Sequence, residues 1–184
     1  MLQVFGFDRV GVVVGDIYFV DPEPLKGQEG AEHGVRLELR VLKRGDLKDS
    51  IYAATPIAVD QPVWRVDLLE AVDGKPFDRT HHHPVFAGWD PGDRVFVREL
   101  SADPLGWLAS RLADLDGVLA EAQFPADTAG PNDAAELRLA VPQIIDATSG
   151  LLDRVRAGEL GQPPQPEQPI VVAGQQVLVR SGWL

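Results

Sequence analysis

Residues 63–86 read Val63-Trp64-Arg65-Val66-Asp67-Leu68-Leu69-Glu70-Ala71-Val72-Asp73-Gly74-Lys75-Pro76-Phe77-Asp78-Arg79-Thr80-His81-His82-His83-Pro84-Val85-Phe86, and three of the four histidines lie in this stretch. Trp64, Val66 and Leu68 alternate with Arg65 and Asp67, the period-2 pattern of a strand with one apolar and one polar face. Asp73-Gly74 is a turn signal. The spacing therefore predicts that a strand over 63–72 folds back on a second over 77–86, in a hairpin carrying the histidines.

The loop between these strands decides what the histidines meet. A two-residue loop pairs Val72 with Lys75 and sets His81 opposite Val66 and His83 opposite Trp64, on an apolar face where histidines are structural. A three-residue loop changes the parity: Arg65 then faces His81 and Asp67 faces Arg79. Lys75-Pro76 fits a regular strand start poorly and favours a longer loop, so both registers stay open.

In the second register Arg65, Asp67, Arg79, His81 and His83 share a polar face, and these five are the candidate ligand-binding residues. A His-x-His on a strand offers two imidazoles to one metal. His81 and His83 are thus candidate ligands for a divalent metal. The third ligand would come from His33, or from a carboxylate such as Asp67, Asp78, Glu70 or Asp90. If the site is catalytic, its candidates are His81, His83 and Arg79: a histidine to hold a metal or move a proton, an arginine to stabilise developing negative charge.

The His81-His82-His83 run, preceded by Gly74 and followed by Pro91-Gly92-Asp93, resembles a cupin barrel over about twenty residues, 74–93. The resemblance implies a small β-barrel with inward-facing histidines. A cupin places a glutamate ligand shortly after the second histidine; here 84–90 offers only Asp90, and the histidine of a second motif is missing. These departures leave the chain unassigned to that family.

N-terminal to the hairpin, Val10–Val14 and Ile17–Val20 flank Gly15-Asp16 as a second hairpin signal. Residues 21–34 are too rich in proline, glycine and acid for a regular element and read as a long acidic loop. Val35, Leu37, Leu39 and Val41 alternate with Arg36, Glu38 and Arg40 as a half-buried strand, whose basic cluster with Lys43 and Arg44 reads as a solvated face. Further strands are expected over 51–59, with Pro56 at an edge or bulge, and over 94–98.

After residue 100 the period changes to 3.6. Asp103-Pro104 is a cap and first-position pair for a helix whose stripe is Leu105, Leu108, Leu112, Leu115 and Leu119. Asp133-Ala134-Ala135-Glu136 resembles a capping box for a second helical run to Gly158, with Pro142 predicting a kink or a split. Strands first and helices second predict an α+β fold: an antiparallel β-rich barrel or sandwich of seven to nine strands, two C-terminal helices packed on it, and a final strand pair. Residues 1–160 form one domain in this reading. Residues 161–169 form a proline-rich linker, and 170–184 a strand pair that returns to the domain or joins a second copy as a homodimer.

Seventeen basic residues against 28 acidic give a net charge of −11, so the overall field disfavours nucleic acid and anionic lipid. Absence of cysteine excludes thiolate metal sites and cysteine nucleophiles. No apolar run approaches the about 18 residues that span a bilayer, and no leader pattern opens the chain; a cytoplasmic protein is the simplest expectation. Nucleotide-loop, nucleophile-elbow and zinc-protease motifs are absent. Two functions remain: a β-body pocket that binds a small anionic or metal-chelating ligand, and a non-catalytic acidic interaction domain, inhibitor-like or immunity-like, in which the histidines are structural.

Overall fold

The computed structural model describes residues 1–24, 26–45, 56–164, 170–172 and 175–177. The expected strand over 51–59 lies partly outside these residues, as do most of 165–184. Five strands, β1 (Leu2–Gly6), β2 (Val10–Val20), β3 (Ala31–Arg44), β4 (Ile57–Ala71) and β5 (His81–His83), form one antiparallel sheet in chain order, with β1 and β5 at its edges. Four helices follow: α1 (Arg98–Ala102), α2 (Pro104–Ala113), α3 (Leu115–Glu121) and α4 (Asp133–Arg156). The α+β class holds. The barrel or sandwich does not, because among the described residues the sheet is open and its partner layer is helical.

There are fewer and longer strands than the turn signals suggest. Gly15-Asp16 does not turn the chain; β2 runs straight through it, and the reversal occurs at 7–9, where the Phe7 N–H donates to the Val10 carbonyl (3.0 Å). Asp60-Gln61-Pro62, which falls between the strands expected over 51–59 and 63–72, likewise lies inside β4. Pro62 is tolerated because the β3–β4 register slips around Arg40, which pairs with Pro62 beside Leu39↔Trp64 and Leu42↔Val59, and a bulge is where a residue without an N–H can sit. The acidic loop ends early, since β3 begins at Ala31. Residues 94–98 form no strand: Val95 makes one isolated bridge to His82, and Arg98 opens α1.

The helical stripe splits at Asp114, whose side chain accepts from the Gly117 N–H (3.1 Å) and starts α3, as Asp103 does from the Gly106 N–H for α2. The second run is a single 24-residue helix with Pro142 inside it. Helices α2 and α4 cover one face of the sheet, where Val12, Val14, Leu37, Trp64, Val66 and Leu68 meet Leu108, Leu112, Leu137 and Ile144 in one apolar core. Ile170–Val172 (β6) pairs antiparallel with Gln175–Val177 (β7) as a separate two-stranded ladder. No helix among the described residues is long and apolar enough to cross a membrane.

Asp133 joins the layers. It is fully buried, and instead of closing a capping box its carboxylate accepts from the N–H groups of Asp8 (2.7 Å), Arg9 (3.0 Å), Val10 (3.2 Å) and Gly130 (2.7 Å). It thus clamps the β1–β2 turn to the start of α4. Hydrogen bonds to a buried charge are the stronger kind, and unmaking them strands several donors. Asp133→Ala is expected to cost about 3 kcal/mol or more in urea unfolding, while Asp127→Ala, on the adjoining exposed segment, should stay within about 0.5 kcal/mol.

Candidate functional site

The β4–β5 pairing is Arg65↔His83, Val66↔His82 and Asp67↔His81. Odd residues face odd residues, the parity of the longer-loop register, displaced by two positions from the pairing written for it. The connection is long because 72–80 is wound into turns pinned to β4. The Ala71 N–H donates to Asp78 Oδ1 (2.9 Å), the Phe77 N–H to Glu70 Oε1 (3.1 Å), and the Arg79 N–H to the Leu69 carbonyl (3.1 Å).

On the face away from the helices, two rows of side chains cross the strands. Arg36, Asp67 and His81 form one, and Glu38, Arg65 and His83 the next. Asp67, His81 and His83 are all buried. The Nε2 atoms of both histidines lie 3.5 Å from Asp67 Oδ2. Arg36 grips the same carboxylate from the other side, Nε to Oδ1 at 2.7 Å and a terminal nitrogen to Oδ2 at 3.0 Å. Burial alone would raise the Asp67 carboxyl; the Arg36 cation foremost, then the two imidazoles, overcome this and hold it well below the usual carboxylate range.

His81 Nδ1 lies 2.8 Å from the Arg79 carbonyl, which can only accept, so Nδ1 carries a proton there and Nε2 is the ring atom turned toward Asp67. At 3.5 Å the two Nε2–Oδ2 separations are too long for hydrogen bonds. Three donor atoms, two nitrogens and one oxygen, therefore converge within 4.8 Å of one another.

The triad floors a cleft of about 690 Å³ that also meets Phe19, Asp21, Arg36, Arg65, Leu69 and Arg94. The segment 84–97 folds back over this face. The Arg65 guanidinium stacks on Phe86 (5.1 Å), Arg40 on Trp89 (5.3 Å), and Phe96 packs on His81 (5.6 Å between ring centroids). Arg94 ties this segment to 21–32 through Gln28 (3.2 Å), Glu32 (3.0 Å) and Asp21 (3.3 Å). Arg65 is bound to Glu38 (2.7 Å), which Arg40 also holds (2.6 Å). Burial first, and then the Arg36 cation, push Arg65 below its ordinary value despite Asp67 and Glu38, as expected of a guanidinium withdrawn from water beside a second one.

Of the residues singled out in the sequence, Arg65, Asp67, His81 and His83 come together. Arg79 does not join them through its side chain, which reaches the Gly27 carbonyl (2.7 Å); its backbone carbonyl orients His81 instead. His33 lies opposite Tyr18 and Glu70 on the helix-facing side of β3, as a residue one place out of step with Glu32 and Gly34 must. Sequence reasoning missed Arg36 and Arg94. Arg36 belongs to a run read as a solvated face, yet it is the principal partner of Asp67; only the β3–β4 register shows that positions 36 and 38 oppose 67 and 65.

His82 points the other way, between Trp64 and Trp107 (ring centroids 6.4 and 5.2 Å). Burial, then the Arg111 cation and the neighbouring histidines, lower its pKa to about 4. No family model, curated protein or solved structure matches the chain.

Because His82 is harder to protonate folded than unfolded, the unfolded chain takes up its proton first on acidification. Stability is then lost between about pH 6.5, the ordinary imidazole value, and the folded value of about 4. His82→Phe, which keeps an aromatic ring between the indoles, is expected to flatten this limb in urea unfolding followed from pH 7 to pH 4. An unchanged slope would assign the acid sensitivity elsewhere.

Proposed function

We propose that Asp67, His81 and His83 hold a divalent transition metal at the floor of the cleft, and that Arg36, Arg65 and Arg94 draw a small anionic ligand to it. The observation that carries this reading is the approach of two imidazole Nε2 atoms to one carboxylate oxygen at 3.5 Å each. Ligands on a tetrahedral metal at about 2.0–2.1 Å stand about 3.4 Å from one another. A hydrogen-bonded network would have closed to about 2.9 Å.

The surroundings suit the ion. The Arg79 carbonyl fixes the His81 tautomer, the outer-shell arrangement that metal-binding histidines use. Arg36 keeps Asp67 ionised and fixes its plane by binding both oxygens, Oδ1 through Nε and Oδ2, the oxygen that would also ligate, through a terminal nitrogen. Two histidines and one carboxylate on one side of a metal leave positions open, the donor set of non-haem iron sites and of several zinc sites. An oxyanion filling those positions would meet three arginines. A bound metal would polarise such a ligand or acidify a water beside it.

Two expectations test the site. Chelator-treated protein titrated calorimetrically with Zn(II) or Co(II) should take up one ion, with proton release, since ligands must bind deprotonated. Asp67→Asn and His81→Ala should each weaken uptake by about a hundredfold or more, beyond the 10–100-fold typical of outer-shell losses, whereas His33→Ala should leave it unchanged. Equal uptake by all of these variants would remove the site. Arg36→Gln should destabilise the metal-free protein by about 3–5 kcal/mol, the cost of unpairing a buried charge, and the metal-loaded protein by less, because the ion then shares the Asp67 charge.

A further inference from the structure

We infer that the ligand is an amphipathic monoanion, a carboxylate with an unbranched apolar chain, whose head sits at the triad and whose chain crosses β3 and β2 toward β1. The inference rests on the proposed metal site and specifies what that site receives.

The row containing Asp67 and His81 does not stop at Arg36. It continues through Gly15 on β2 to Leu2 on β1. At strand spacings of about 4.8 Å, Gly15 lies about 10 Å from Asp67 and Leu2 about 14 Å. Along this line the face changes character. Over β3 to β5 it is ionic; over β1 and β2 it is apolar, with Val13 and Ile17 half-buried and Leu2 67% exposed. A second cleft, of about 810 Å³, is lined by Leu2, Val13, Gly15 and Ile17, and Arg36 lines both it and the triad cleft. With its guanidinium drawn to Asp67, Arg36 leans toward β4, and Gly15 contributes no side chain of its own, the Leu2 side chain lying against it; the two clefts adjoin at Arg36.

The charges along the groove select the ligand. At the triad end Arg36, Arg65 and Arg94 are balanced by Asp21, Asp67 and Asp93, so the added charge of the metal is what calls for an anion. Between the two ends stands Glu38, held by Arg40 and Arg65; Asp16, opposite Val35, turns to the helix side, where the Met1 ammonium and the Gly161 N–H engage it. The side chains of Val13, Ile17 and Leu2 at the far end offer a polar or charged tail no hydrogen-bonding partner. An alkyl chain covers Val13, Ile17 and Leu2 and removes their surface from water.

Metal-loaded full-length protein titrated with acetate, butanoate, hexanoate and octanoate tests this directly. Affinity should climb about two- to fourfold per methylene, as apolar burial at about 0.8 kcal/mol per fully buried methylene gives. Replacing Val13 and Ile17 together by Asn should lower octanoate affinity at least tenfold more than acetate affinity. Equal binding of acetate and octanoate, or a climb that survives the double substitution, would overturn the inference. The two readings fail separately: normal metal uptake with a flat series removes the chain, whereas a steep series in protein that takes up no metal removes the metal and leaves the groove.

Discussion

The Asp67 carboxylate, withdrawn from water at the centre of a sheet, is the constraint that organises the charged face. A lone buried carboxylate would neutralise itself. It stays ionised because Arg36 on the preceding strand pairs with it through two of its nitrogens and because two imidazoles from the following strand approach it. Three strands are thereby fixed in register by one side chain, since a slip of one residue on either side would carry Arg36 or both histidines to the opposite face.

The sheet divides its two faces by chemistry. The helix-covered face is an apolar layer sealed by α2 and α4, and its buried polar members from the helices, Asp133 and Thr148, are both satisfied by backbone groups. The other face is built from ion pairs in which every arginine named above has a carboxylate or an aromatic ring beneath it. Such a face is costly to assemble as scaffold alone, because buried ion pairs seldom outperform apolar packing. Its concentration beside a cleft fits the association of perturbed ionisable groups with binding sites.

Three consecutive histidines illustrate how completely strand geometry partitions identical residues. His81 and His83 stand among ionic partners and present Nε2 to a carboxylate, while His82, one step away, lies between two indoles and is held neutral. The same alternation separates His33 from the site that its chemistry would suit.

The sequence by itself determined the α+β order, the apolar periodicities of β3, β4 and the helices, and four residues of the candidate site, because alternation and turn chemistry are local properties. It could not settle the β4–β5 register, since the pinned turns of 72–80 replace a simple hairpin loop, nor could it see that Gly15-Asp16 and Gln61-Pro62 lie within strands, where neighbouring strands and a bulge override local turn preference. Arg36 and Arg94 entered the site only through pairing across segments distant in the chain. Whether a polar strand face is solvent-facing or buried depends on what folds over it, and that was decided by the return of 84–97 across β3 and β4, a tertiary fact with no local signature.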